Sequence, residues 1–321
     1  MRRVLVLGGT GWLGRAVVEA AVSEGAEVVC LARGESGGVP DGSRLVRADR
    51  RQPGAYGLVK GAWDEVIELS YEPDLVEPAL DELAARAGHW TLVSTVSVYA
   101  RNDEPYADES ADLVEPEDLA EYADAKVAAE RITAERVGDR LLIARPGLIV
   151  GPGDPSDRFG YWAARMSRPG RALAPIATDR FVPVIDVDDL ATWIELAGRD
   201  GLKGVVNAVG EIHTMSAFFE AVREVAEFHD NLVAVSDAVL LEHGVRYWAG
   251  PRSLPLWLPA ADSGFAQRSG AAFLKSGGAL RPLREILTRT LEDEIERGAD
   301  RPRRSGLTAA EEAAVLHSVQ Q

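Results

Sequence analysis

The chain opens on an unbroken apolar run, Val4-Leu5-Val6-Leu7, followed at once by Gly8, Gly9, Gly11 and Gly14. Such a run suits a strand buried on both faces of a parallel sheet. Leu13, Ala16, Val17, Ala20 and Ala21 then recur at helical spacing up to Gly25, a residue suited to a left-handed helix end. The pattern predicts strand, glycine turn, helix. Further apolar runs predict strands over 27–31, 45–48, 65–69 and 91–94, with Asp49 closing the third and Ser70-Tyr71 after the fourth. Helical spacing predicts helices over 74–87, stopped by Gly88, and over 122–136. A helix over 189–197 and a strand over 205–208 follow. The alternation places the chain in the α/β class, as a Rossmann-type doubly wound parallel sheet with ligands at the carboxyl ends of the strands.

Punctuation in the second half predicts a smaller, mainly C-terminal substrate lobe. Gly151-Pro152-Gly153-Asp154-Pro155 is a loop signal. Residues 1–155 and 178–211 are assigned to a dinucleotide-binding domain, 156–177 and 212–300 to the substrate lobe, and 301–321 to a C-terminal tail. In that tail Thr308 and Glu311 form a capping-box signature that opens a short helix. Residues 252–259 read as an extended, proline-punctuated segment, and 282–296 as a solvated closing helix.

Composition narrows the function classes. With 46% hydrophobic and 27% charged residues, the 321-residue chain is ordinary globular material. No segment has the length or apolarity of a membrane span, and the first apolar run ends in GGTG instead of a cleavage site. A net charge of −16 argues against a nucleic-acid partner. The single cysteine, Cys30, allows no internal disulfide and fits a reducing cytoplasm. The five histidines are scattered, so no metal site is expected.

The glycines are read as a dinucleotide site, in either of two registers: Gly9, Gly11, Gly14 or Gly8, Gly11, Gly14. Glycine supplies positive φ, lets a pyrophosphate approach bare backbone, and allows close helix–strand packing. Arg33 stands where an acid would bind the adenosine ribose of NAD. It suits a 2′-phosphate, so NADP(H) is preferred with NAD(H) as the alternative; a solvated loop arginine is the other reading. Gly34-Glu35-Ser36-Gly37-Gly38 matches a nucleophile elbow formally, but Pro40 and Gly42 follow where that motif needs a helix.

Tyr122 and Lys126 are four apart on a predicted helix and so share a face. With four lysines and seven tyrosines in the chain, such a pair arises by chance about 0.1 times. A phenol near pKa ~10 becomes a usable acid or base at neutral pH when an ammonium stands beside it. Hydroxyls at the end of the fifth strand would hold a substrate oxygen. The other reading is a packing tyrosine and a surface lysine.

GGTGWLG (8–14), STVSVYA (94–100), YADAK (122–126), ARPGLIVGPGD (144–154) and VIDVDDLA (184–191) together resemble the extended short-chain dehydrogenase/reductases, the NAD-dependent epimerase/dehydratase-like group. The resemblance covers about the first 210 residues. It implies Tyr122 as catalytic acid/base, Lys126 as nicotinamide-ribose ligand, and Thr95 as the catalytic hydroxyl, with Ser94 and Ser97 as substitutes. It also implies cofactor contacts from Gly8, Gly11, Trp12, Leu13, Gly14, Asp49 and Pro146, and substrate contacts from Ser97, Phe159, Trp162 and Arg180. Core packing is the other reading of Phe159 and Trp162. Val182 stands where sugar-nucleotide epimerases of the family carry an arginine for the diphosphate, and Arg180 is the nearest substitute. The resulting expectation is an NAD(P)-dependent oxidoreductase acting on a secondary alcohol or ketone of a small molecule, as monomer or homodimer. The alternatives are a sugar-nucleotide epimerase/dehydratase and a non-catalytic cofactor-binding or RNA-associated protein.

Overall fold

The computed structural model describes residues 1–319. Its first half runs β1 (Arg3–Leu7), α1 (Trp12–Ser23), β2 (Glu27–Ala32), β3 (Ser43–Arg47), β4 (Trp63–Glu68), α2 (Pro73–Leu83), β5 (Ala87–Val93), α3 (Tyr122–Val137) and β6 (Leu141–Pro146). Next come β7 (Leu148–Val150), α4 (Arg158–Met166), β8 (Ala172–Pro175), β9 (Phe181–Asp186), α5 (Val187–Arg199) and β10 (Gly204–Ala208). Seven parallel strands form the central sheet in the order β10-β6-β5-β4-β1-β2-β3, so the strand order reverses beside β1. Ligand crevices open at such a reversal.

Both faces of the sheet are covered. Val17, Val18 and Ala21 of α1 pack with Leu190, Ala191 and Ile194 of α5 on one face. Val76, Leu80 and Leu83 of α2 pack with Ala129 and Val137 of α3 on the other. Burial on two sides explains why β1 reads as continuous apolar residues rather than as an alternating strand. The helix expected over 74–87 ends at Leu83 and passes through a short 3-10 turn into β5. Gly88 therefore lies inside a strand, where a Cβ would sit 3.1 Å from the Asp64 carbonyl oxygen.

The remaining elements build a second hydrophobic cluster, except for the short helix carrying Phe273, which packs into the core beside the sheet. They are β11 (Ile212–Thr214), α6 (Met215–Val225), β12 (Leu232–Val235), α7 (Asp237–Glu242), β13 (Arg246–Trp248), β14 (Ser253–Pro255), α8 (Ala271–Lys275), α9 (Leu283–Glu296) and α10 (Ala309–Ser318). Phe159 and Trp162 of α4 pack on Phe218 and Phe219 of α6, with ring centroids 5.6 and 4.8 Å apart. Helix α9 is less solvated than its charge suggests, because Ile286, Leu287, Thr290 and Glu294 are buried.

The last helix is locked in place. Thr308 and Glu311 make the capping box. One turn on, Glu312 accepts from Arg165 Nε at 2.5 Å and from the Leu173 backbone N–H at 2.9 Å. Both charged side chains are buried. Removing one member of such a pair strands the other charge in a dry interior. Glu312→Ala should cost about 3 kcal/mol of stability by urea denaturation, whereas Arg131→Ala, which breaks an exposed pair with Glu115, should leave stability nearly unchanged.

Candidate active site

The glycine turn decides which register touches the ligand. Gly8 has φ +105°, and the Gly11 N–H closes the turn on the Gly8 carbonyl at 3.3 Å. A Cβ on Gly14 would fall 2.5 Å from the Gly8 oxygen and 2.9 Å from Gly9 Cα, so helix and strand could not meet as closely. Gly9 faces inward, where a Cβ would lie 2.6 Å from Cys30 Sγ. A Cβ on Gly11 would meet only the Gly8 oxygen, at 3.8 Å. Gly8 and Gly11 line a cavity of about 250 Å³, and Gly9 does not. Gly8 and Gly11 thus face the cavity while Gly14 lets helix and strand meet, and this open backbone cradle fits a pyrophosphate.

Arg33 and Asp49 line the same cavity with Arg51 and Glu72. Arg33 is exposed and pairs with Glu35 at 3.1 Å. The Asp49 carboxylate accepts from the Arg51 backbone N–H at 3.0 Å, which, with Arg33 and Arg51 nearby, holds its pKa below the usual range. Buried Arg50 is paired with Glu68 at the end of β4 and also donates to Ser70 Oγ.

A second cavity, about 470 Å³, opens at the ends of β5 and β6. Trp12, Leu13, Thr95, Ser97, Tyr122, Lys126 and Pro146 all line it. Trp12 is fixed there by donating Nε1–H to the Pro152 carbonyl at 2.7 Å. Thr95 follows β5 in extended conformation and caps a 3-10 turn by accepting from the Ser97 N–H at 3.1 Å. Tyr122 opens α3 and keeps 46% of its surface exposed. Its ring stands edge-on to Tyr71 at 5.2 Å.

Lys126 is 5% exposed, donates to the Val93 carbonyl at 2.8 Å, and lies 4.7 Å from the Tyr71 ring centroid and 5.8 Å from that of Tyr122. Burial pulls its pKa down to about 8, against the opposing pull of Glu68, Glu130 and Glu72. Burial pushes the Tyr122 phenol upward; a hydrogen bond with Thr95 and the charge of Arg158 pull it back. Arg158, a residue that pattern reasoning passed over, is thus a second cation near Tyr122, beside the Lys126 ammonium 5.8 Å from its ring centroid.

Three substrate contacts expected from sequence lie elsewhere. Phe159 and Trp162 are 0% exposed in the lobe core, and Trp162 donates Nε1–H to the Pro255 carbonyl at 2.8 Å. Arg180 is ion-paired with Asp237 at 2.6 Å and lines other cavities. Helix α4 turns its first residue, Arg158, to the cleft and its apolar residues to the core. Tyr71, Asp154, Ser156, Arg158, Trp248 and Phe265 complete the wall. Trp248 and Phe265 gave no sequence signal, because they arrive from β13 and the segment before α8. Among the described residues, no group of three or more His, Cys, Asp or Glu side chains could hold a metal, and no helix is long and apolar enough to cross a membrane.

A glycine cradle at a strand-order reversal, with Thr95, Tyr122 and Lys126 in the adjoining cleft, defines a dinucleotide-binding α/β protein of the short-chain dehydrogenase/reductase kind. The chain belongs to the NAD dependent epimerase/dehydratase family, whose profile matches residues 4–210. It is 31% identical over 226 residues to 2'-dehydrokanamycin reductase of Streptomyces kanamyceticus; the match spans 66% of this chain and 63% of that protein. It is 27% identical over 225 residues to dTDP-6-deoxy-L-talose 4-dehydrogenase (NAD(P)(+)) of Kitasatospora kifunensis, across 62% and 70% of the two chains. The fold matches UDP-glucose 4-epimerase of Thermus thermophilus in complex with NAD (TM-score 0.65, 21% identity, 92% of this chain, 99% of that one). It likewise matches RMD of Pseudomonas aeruginosa complexed with NADPH (TM-score 0.65, 19% identity, 92% and 100%).

The buried ammonium yields a signed prediction. Its folded pKa lies below the unfolded value, so this group's contribution to stability is absent below pH 8 and gained as pH rises from about 8 to 10.5. Lys126→Met removes the desolvation cost. It should be about 3 kcal/mol more stable than the parent at pH 7, with the gap closing toward pH 10.5, by urea denaturation without cofactor.

Proposed function

We propose that this chain is an NADP(H)-preferring oxidoreductase that interconverts a secondary alcohol and a ketone on a small molecule. The observation that carries this reading is the convergence of Thr95, Tyr122 and Lys126 on one cleft beside the glycine cradle. A nicotinamide dinucleotide, when bound, supplies or accepts the hydride. In the reduction direction the Tyr122 hydroxyl gives its proton to the carbonyl oxygen as the carbon is reduced, and Thr95 holds that oxygen. Tyr122, which keeps part of its surface exposed at the cleft, then recovers a proton from water. Lys126, a short reach from both tyrosine rings, holds the nicotinamide ribose and stabilises phenolate.

Net redox chemistry is favoured over sugar-nucleotide epimerisation. Val182 is buried at 0% exposure and Arg180 is occupied by Asp237, so neither offers a cation to a diphosphate. The complete Thr-Tyr-Lys set likewise favours catalysis over a cofactor-binding role without chemistry. The buried Cys30 thiol, its pKa pushed up to about 12, takes no part and fits a cytoplasmic setting. The NADP(H) preference is supported by Arg33 at the rim of the first cavity.

Two measurements test these assignments. Tyr122→Phe should lower kcat roughly 10²–10⁴-fold while leaving the NADPH dissociation constant within about twofold; net NADPH consumption, absent in a true epimerase, separates the two enzyme classes. Arg33→Ala should weaken NADPH roughly tenfold while leaving NADH nearly unchanged, read by calorimetric titration. Equal losses for both cofactors would refute the 2′-phosphate role.

A further inference from the structure

Arg158 is the one cleft residue whose placement the hydride chemistry leaves unexplained. Its guanidinium lies over the Trp248 ring, 5.0 Å from the centroid, and Nε donates to Ser156 Oγ at 3.1 Å. Among the described residues, no carboxylate comes within ion-pair distance of it. The nearest candidate, Asp154, reaches it only through Ser156, whose Oγ accepts from Arg158 Nε and donates to Asp154 at 2.9 Å; Asp154 also accepts from the Ser156 N–H at 2.8 Å. Burial pulls the Arg158 pKa below its ordinary value, with Asp154 and Tyr122 opposing. A partly desolvated guanidinium whose carboxylate neighbour stands one hydroxyl away gains from a direct oxyanion partner.

The surroundings hold this side chain in one place. Asp157, directly before it, has φ +59° and accepts from the Arg304 backbone N–H at 2.8 Å, with Arg301 and Arg297 on the same carboxylate. Trp248 has φ +66°, a left-handed backbone that a bulky residue rarely adopts. Its N–H donates to the Trp257 carbonyl at 2.9 Å, and its ring stands edge-on to Phe265 at 5.5 Å. An arginine stacked on an aromatic face and fixed through Nε presents a planar fork suited to one oxyanion.

We infer that Arg158 binds an oxyanion of the substrate, a carboxylate or a phosphate ester, so that the ketone or alcohol presented to Tyr122 belongs to an acidic molecule. The inference rests on Tyr122 being the reacting acid/base. A protein of net charge −16 repels acids over most of its surface, so recognition of one needs a local cation such as Arg158. Trp248 and Phe265 form the apolar wall beside that anchor and take up the carbon chain between acid and carbonyl.

The test uses the full chain saturated with NADP+ for binding and with NADPH for turnover. The probes are 4-oxopentanoate with its uncharged analogue 2-pentanone, and dihydroxyacetone phosphate with dihydroxyacetone. Binding is followed by tryptophan fluorescence, since Trp248 lies under the guanidinium. The charged member of at least one pair should bind roughly ten- to a hundredfold more tightly than its analogue. Which pair shows it tells carboxylate from phosphate ester. Arg158→Gln should abolish that advantage, and Arg158→Lys should restore part of it. Equal binding of charged and uncharged probes by the parent, or an advantage that survives in Arg158→Gln, overturns the inference. Tyr122→Phe separates the two readings: it should abolish turnover and keep oxyanion binding. Turnover that survives in Tyr122→Phe, beside binding that still depends on Arg158, would sink the Tyr122 chemistry and keep the anchor.

Discussion

The cleft depends on an ammonium group held out of water. Lys126 has one protein acceptor, the Val93 carbonyl at the end of β5, and two aromatic rings around it. A buried amine retains its charge only where carbonyl dipoles, ring faces and distant carboxylates offset the lost hydration. Helix α3 must therefore cross the sheet at one height and one rotation. Glu130, one turn beyond Lys126 on the same helix, fixes that rotation through a buried double hydrogen bond with Arg145 of β6, at 2.6 and 3.0 Å. Arg145 in turn donates to Tyr99 Oη, which donates to Asn207 of β10. Helix α3, β6 and β10 are thus tied by one buried polar chain one turn from the lysine. Removing Glu130 or Arg145 leaves the other charge unsatisfied.

The opposite wall is held by a different part of the chain. Arg158 begins α4, and the backbone before it is tied to Arg301 and Arg304 through Asp157. The far half of α4 is tied to α10 through Arg165 and Glu312. Among the described residues, those past 290 line no part of this cleft, yet they hold the backbone on which Arg158 stands. On the proposed reading, a rigid sheet carries the chemistry while a lobe assembled from distant segments carries recognition, so the two can vary separately.

Much of the first half was legible in the sequence because its constraints are local. Burial on two faces needs apolar runs, and a turn with positive φ at Gly8 needs glycine. Two residues meant for one cleft must sit four apart on a helix, as Tyr122 and Lys126 do. Element ends were less legible. The helix after β4 stops at Leu83, not at Gly88, because strand pairing captured residues 87–90 as β5. The two glycine registers were equivalent on paper, and packing separated them by turning Gly9 onto Cys30.

Which arginine is left without an ion pair in the cleft was decided only by the fold. Arg158, Arg165 and Arg180 lie within one short stretch and look alike as letters. Folding pairs Arg165 with Glu312, 147 residues away, and Arg180 with Asp237, 57 residues away. Arg158 comes to rest on Trp248, ninety residues on in the chain, with no direct ion pair among the described residues. Local periodicity determined the sheet, the glycine cradle and the Tyr-Lys pair, since each depends on neighbours within a turn or a strand. Charge pairing across the lobe depends on contacts that exist only after folding, and those contacts decided which cation was left for the ligand.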